Sequence, residues 1–313
     1  MPSVTIVTNQ NSFIMNEEKM SGVGPSSIEM AFQRLGDPSA PPVLLIMGAG
    51  AQMIAWPDGF CETLTKRRLH VIRFDNRDTG LSTHFTNAPT PDFSAALSGD
   101  FSSVSYSLSD MAADTIGLMD ALEFDQVHIV GASMGGMIAQ TMAIEYPGRI
   151  KSLTSIMSTT GDPVVGQPDY HALSELGEPP YSDRPGYINW KIRSLKIIGS
   201  PGYPFDEAAA AITAGLSWDR DHDPASLLRQ FVAVMKSGDR TSKLRHLQVP
   251  ALVIHGAADK MVNVSGGKAT AAAIPGAHLH IFEGMGHGLP ELLWPEISSL
   301  IAEHIQRAEQ VNC

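Results

Sequence analysis

The stretch Val127-His128-Ile129-Val130-Gly131-Ala132-Ser133-Met134-Gly135-Gly136-Met137-Ile138-Ala139 limits the possible folds more than any other part of the chain. An apolar run of strand length gives way, at a glycine-flanked serine, to a helical stretch reaching about Tyr146. Glycines two residues either side of Ser133 let strand and helix backbones meet at a turn too sharp for side chains at 131 and 135. Ser133 then sits at the tip of that turn with its hydroxyl pointing out of the sheet. The helix that starts there turns free N–H groups and the positive end of its dipole toward any negative charge forming at the serine. This is the arrangement called a nucleophile elbow. The plainer alternative, a glycine-rich turn with an idle serine, loses ground once a strand and a helix flank the motif.

Strand-length apolar runs recur at 43–47, 69–75, 150–157, 251–255 and 278–282, separated by helical segments at 56–67, 107–122, 265–273 and 295–307. Ser107 and Asp110 form a capping box at the start of the second of these helices. Continuous apolar strands alternating with helices predict the α/β class: a doubly wound, mostly parallel sheet covered on both faces. Residues 28–34 alternate apolar and polar and are expected to form an edge strand. Residues 1–24 are expected to form a partly ordered N-terminal arm with a β-like piece at 4–8, and 83–105 an irregular surface loop. The core is expected at 25–157 and 241–313. Between them, 158–240 carries helical stretches at 187–198, 206–215 and 224–237 with no intervening strand. It reads as a helical lid inserted after the sixth strand, over the carboxyl edge of the sheet where ligands bind in such folds.

The 313 residues are 43% hydrophobic and 18% charged, an ordinary globular composition, with a net charge of −11. The longest basic run is Lys66-Arg67-Arg68, so nucleic acid and anionic membrane surfaces are poor partners, and a small molecule is the expected one. No apolar stretch approaches a membrane span, and the first thirty residues lack a basic segment followed by an apolar run. The two cysteines, Cys61 and Cys313, are not in a metal-ligand spacing and suit a reducing compartment, so the cytoplasm is the expected location.

A serine hydroxyl needs a base, usually a histidine held by a carboxylate. Of eleven histidines, His287 lies in Gly284-Met285-Gly286-His287-Gly288, a glycine-flanked loop just past the last strand and on the same rim as Ser133. His255, His278 and His280 lie on strands, and His84, His171 and His222 in loops or the lid. Asp259, in the loop after Ile254-His255, is the expected acid, with Asp162 its rival. The expected oxyanion donors are the N–H of Met134 and that of Ala49 in the Gly48-Ala49-Gly50 loop, with Gly48 next. Asp75, Arg77 and Asp78 are expected to fix a turn through buried ion pairs. Met47, Met53, Met134, Met137 and Met285, with Trp56, can be core and loop packing or a pliable apolar pocket. In the second reading Gly48, Met53, Trp56 and Met285 line it.

Together these motifs resemble the α/β-hydrolase superfamily over nearly the whole chain outside the arm. The order Ser133, Asp259, His287 is the order found in that superfamily. Segments 43–50, Trp56-Pro57-Asp58, 71–80 and 131–136 resemble, more narrowly, the bacterial aclacinomycin methylesterase group. The resemblance implies hydrolysis of a carboxylic ester by Ser133, Asp259 and His287, with Ala49 and Met134 as oxyanion donors and no cofactor or metal. Carbon–carbon bond hydrolases and perhydrolases use the same triad, and a non-catalytic small-molecule receptor on this scaffold is the alternative of a different class.

Overall fold

The computed structural model describes residues 4–7, 17–177, 179 and 182–311. Among them nine strands form one sheet: β1 (Val4–Val7), β2 (Glu17–Val23), β3 (Ile28–Leu35), β4 (Pro42–Ile46), β5 (His70–Phe74), β6 (Val127–Ala132), β7 (Ile150–Ile156), β8 (Ala251–Gly256) and β9 (His278–Phe282). Their spatial order is β1-β2-β3-β5-β4-β6-β7-β8-β9. From β5 to β9 every pairing is parallel, while β1, β2 and β3 join antiparallel at one side. Strands β5, β6 and β8 are buried at every residue, as their unbroken apolar runs require of strands covered on both faces.

The helices are α1 (Asp58–Thr65), α2 (Phe93–Leu97), α3 (Leu108–Ala121), α4 (Met134–Glu145), α5 (Tyr170–Ser174), α6 (Arg184–Ile198), α7 (Glu207–Arg220), α8 (Pro224–Ser237), α9 (Thr241–Leu244), α10 (Val264–Ala273) and α11 (Trp294–Val311). One face of the sheet packs on α3 and α4, and the other on α1 and α11. Helix α3 starts at the expected capping box: Ser107 N–H donates to Asp110 Oδ2 at 2.8 Å, and Asp110 N–H to Ser107 Oγ at 3.4 Å. Helix α2 lies inside the stretch expected to be irregular.

Two expectations about the amino-terminal side are corrected. Residues 17–23 are a strand and not an arm, and β3 is an interior strand between β2 and β5 and not an edge. Residues 1–3 and 8–16 of the expected arm lie outside the described residues. Glu17, Glu18 and Lys19 hid β2, because an isolated strand would not place such charges against a neighbour. In the fold each has a partner. Arg34 on β3 takes Glu18 in two bonds of 2.9 and 2.5 Å, Glu29 takes Lys19 at 2.7 Å, and Arg220 of α7 takes Glu17 at 2.5 Å.

Helices α5 to α8 are inserted between β7 and β8, so the insertion follows the seventh strand and not the sixth, the extra strand being β2. Buried polar side chains bind these helices to the sheet. Arg220 donates to Asp75, and Arg229 of α8 grips Asp78 through two bonds of 2.9 and 2.8 Å. Arg77 pairs instead with Asp114 of α3, at 2.6 and 2.7 Å. The Asp75–Asp78 turn is thus ion-paired as expected, with all of its cation and anion partners supplied by distant helices. Removing one member of such a pair strands a buried charge, which typically costs about 3–5 kcal/mol.

Burial also sets an acid limit on stability. His304 of α11 is 2% exposed, and burial pushes its pKa down to about 4, below the unfolded value of about 6.5. Between those values the unfolded chain binds the proton and the folded one does not, so this contribution is complete above pH 6.5 and shrinks on acidification toward 4. Denaturant titrations should show His304 alone removing about 2 kcal/mol between pH 7.5 and 5. His304→Leu should flatten that part of the profile, and an unchanged slope would place the acid sensitivity elsewhere.

Candidate active site

Ser133 sits between the last residue of β6 and the first of α4 with φ 56° and ψ −123°, a left-handed conformation that strains a non-glycine residue. Its surroundings enforce it. Ser133 N–H donates to Ile156 O at 2.9 Å, and Ser158 Oγ donates to Ser133 O at 2.8 Å. A Cβ on Gly131 would land on the Gly135 carbonyl, and one on Gly135 on the Ile46 carbonyl, so strand and helix pack backbone to backbone there. A Cβ on Gly48 would lie 2.9 Å from Ser133 Cβ, which puts the Gly48-Ala49-Gly50 loop directly against the serine.

The structure brings Ser133, His287 and Asp259 into one hydrogen-bonded line. Ser133 Oγ lies 3.1 Å from His287 Nε2, and His287 Nδ1 lies 2.8 Å from Asp259 Oδ2. The other carboxylate oxygen of Asp259 accepts the N–H groups of Met261 and Val262 at 2.8 and 2.9 Å. The Asp259 side chain has no exposed surface while that of His287 keeps 11%, so the carboxylate is shielded and the imidazole can still be reached. Asp162 does not enter this line; its carboxylate accepts the N–H of Val164, two residues on.

Met134 is the first residue of α4, so its N–H has no intrahelical partner, and Ala49 lies in the loop pressed on Ser133. Local sequence offered no sign of what holds that loop. Gln230 of α8, fully buried, accepts the Gly50 N–H at 2.7 Å. Its amide nitrogen donates to Arg77 O at 2.9 Å and Thr79 Oγ1 at 2.7 Å. Gln52, next in the loop, donates to Ser217 O of α7 at 2.8 Å and accepts from Arg220 at 2.9 Å. Only periodicity in the inserted helices could have hinted that one polar residue faced inward.

His255 lies behind the acid. Its Nε2 is 2.8 Å from Val262 O and 3.5 Å from Asp259 Oδ2, and burial holds its pKa below the usual histidine value, so it stays neutral and donates. The expected pocket residues fare differently. Gly48 contacts the serine, but Met53, Trp56 and Met285 have no exposed surface, and Trp56 and Met285 are packed with α1 and α11. Of the two readings, these three side chains follow the packing one. Ligand atoms of Asp78, His84 and Asp223 lie within 4.8 Å of one another, yet Arg229 already bonds both carboxylates and places a positive charge between them.

A family model described as alpha/beta hydrolase fold matches residues 41–178. Rhodomycin D methylesterase DnrP of Streptomyces peucetius is 26% identical over 298 residues, 88% of this chain and 94% of that protein. A 2-hydroxy-6-oxononadienedioate/2-hydroxy-6-oxononatrienedioate hydrolase of Cupriavidus pinatubonensis is 30% identical over 55% of this chain and 59% of its own length. Among solved structures, the 2-hydroxy-6-oxo-6-phenylhexa-2,4-dienoate hydrolase of Rhodococcus sp. strain RHA1 superposes with a TM-score of 0.72 at 19% identity, covering 97% of this chain and all (100%) of that one. By sheet order, elbow and superposition on solved structures, this chain has the α/β-hydrolase fold, and it is similar over most of its length to the rhodomycin D methylesterases.

Proposed function

We propose that the protein is a serine hydrolase of carboxylic esters acting through an acyl-enzyme on Ser133. The observation that carries this reading is the line from Ser133 Oγ through His287 to Asp259 at the carboxyl end of β6. His287 Nε2 takes the hydroxyl proton as Oγ bonds to the ester carbonyl carbon, and Asp259 steadies the imidazolium that forms. The N–H groups of Met134 and Ala49 receive the oxyanion. The imidazolium then gives its proton to the departing alcohol. Water, deprotonated by the same nitrogen, next attacks the acyl carbon and frees the acid and Ser133. Helices α5 to α8 serve as a lid whose contacts with the Gly48–Gly50 and His287 loops shape the substrate space.

Turnover of p-nitrophenyl esters from acetate to octanoate, with stoichiometric labelling of Ser133 by a fluorophosphonate, is the expected result. Neither turnover nor labelling at any chain length would leave a ligand receptor as the reading. A second activity has a specific observation behind it, since the 30% identical relative is named as a hydrolase of a 2-hydroxy-6-oxo acid. Carbon–carbon bond hydrolysis of such a compound at a kcat/KM above that of every ester would make it the primary reaction.

A further inference from the structure

The loop that follows β4 is fastened at both ends by the core. Asn76 Nδ2 donates to Met47 O at 3.0 Å where the loop begins, and Met53 N–H donates to Asp75 Oδ1 at 2.7 Å where it ends. Both partners come from the turn after β5. The middle of the loop is itself a tight turn: Ala51 N–H donates to Gly48 O at 3.2 Å, and Gly50 takes φ 64°, the pattern of a type II turn. This middle part presses on Ser133, and what reaches it is a helix of the insertion.

Helix α8 meets the turn with Leu227 and Gln230, three residues apart and so on one face. A Cβ on Gly50 would lie 2.7 Å from Leu227 Cδ1, so helix and turn are in direct contact. Gln230 has no exposed surface, and both ends of its amide are used. Arg77 O can only accept, so the amide nitrogen faces it, at 2.9 Å, and Thr79 Oγ1 at 2.7 Å; Oε1 is left for the Gly50 N–H at 2.7 Å. Arg77 and Thr79 belong to the same turn after β5 that fastens the ends of the loop. Gln230 thus braces the middle of the loop against that turn. The Gly50 N–H shares a peptide plane with Ala49 O, and type I and type II turns differ by a half-rotation of that plane. The bond to Gln230 selects one orientation, and with it the setting of Ala49.

Resting on the ester reading above, we infer that Gln230 is a positioning residue for the oxyanion. It acts through the Gly48–Ala51 turn, holding the Ala49 N–H where the negative oxygen forms. With no exposed surface, Gln230 itself touches no substrate, so its effect falls on the transition state and leaves ground-state binding alone.

Two variants break the brace. Gln230→Met fills similar space without an amide, and Gln230→Asn keeps the amide on a side chain one methylene shorter. Each is compared with wild type on p-nitrophenyl butyrate and on two inhibitors, hexyl trifluoromethyl ketone and hexyl methyl ketone. Ser133 Oγ adds to the carbonyl carbon of the trifluoromethyl ketone, the hydroxyl proton passes to His287 Nε2, and the carbonyl oxygen becomes an oxyanion. The methyl ketone, far less electrophilic, reports ground-state binding. In both variants kcat should fall by about 10- to 100-fold with KM within about threefold, the effect of an oxyanion donor moved but not deleted. The Ki of the trifluoromethyl ketone should rise by a like factor while that of the methyl ketone stays nearly constant. A general loosening of the site would move both ketones together. Parallel loss for both ketones, or a wild-type ratio of the two Ki values in a variant that melts as a folded protein, overturns the inference and leaves the ester reading standing. Wild type that neither turns over the ester nor prefers the trifluoromethyl ketone overturns both.

Discussion

Ser133→Ala is expected to lower kcat on p-nitrophenyl acetate by about 10⁵- to 10⁶-fold, to the level set by binding and oxyanion stabilisation alone. The loss is large because the hydroxyl is the only group this site offers for a covalent bond to carbon at that position. His287, with its nitrogen 3.1 Å from the missing oxygen, could at best activate water in a geometry built for Oγ. Folding should survive. The left-handed backbone at 133 is imposed by Gly131 and Gly135 packing against carbonyls and by the Ser133 N–H bond to Ile156, and alanine keeps all of these. The measurement is steady-state turnover with fluorophosphonate labelling, checked against the thermal melting of both proteins. A variant that melts like wild type and still turns over esters at more than about a thousandth of the wild-type rate would remove Ser133 from the chemistry.

Asp259→Asn is expected to cost about 10⁴-fold in kcat with KM little changed. The structure gives a specific reason. One oxygen of Asp259 is held by the N–H groups of Met261 and Val262 at 2.8 and 2.9 Å, and these two donors will select the carbonyl oxygen of an asparagine amide. The amide NH₂ then faces His287 Nδ1, 2.8 Å away in the native site. A donor there forces the imidazole proton onto Nε2, the nitrogen that must accept the serine proton. The base is thus present and correctly placed in the wrong tautomer. Rates near wild type in this variant would mean that another carboxylate orients the ring, and Asp162 would be the next to replace.

How much of this was legible in the sequence depends on the range of the forces involved. Ser133 with its glycines, the apolar strands β4 to β9 and the Ser107 cap are local patterns, since a turn, a buried strand or a capped helix is specified by neighbouring residues. Asp259 and His287 could be placed because each follows a recognisable strand, and a parallel sheet brings successive strand ends to one rim. Strand β2 could not, because Glu17, Glu18 and Lys19 read as solvent-facing until Arg220, Arg34 and Glu29 are brought beside them. Trp56, Met53 and Met285 were ambiguous because an apolar side chain at a rim can face inward or outward with the same sequence, and here it packs inward.

The sequence by itself determined the fold class, the strand-to-helix turn that exposes one serine, and the chain order of serine, carboxylate and histidine. The tertiary structure alone decided what holds them. Gln230 is bonded to a loop residue 180 positions away, and Arg220 to a carboxylate 145 away. The physical reason is that burying a polar group is costly unless a partner meets it. Which partner arrives depends on where the chain returns, and no local pattern encodes that.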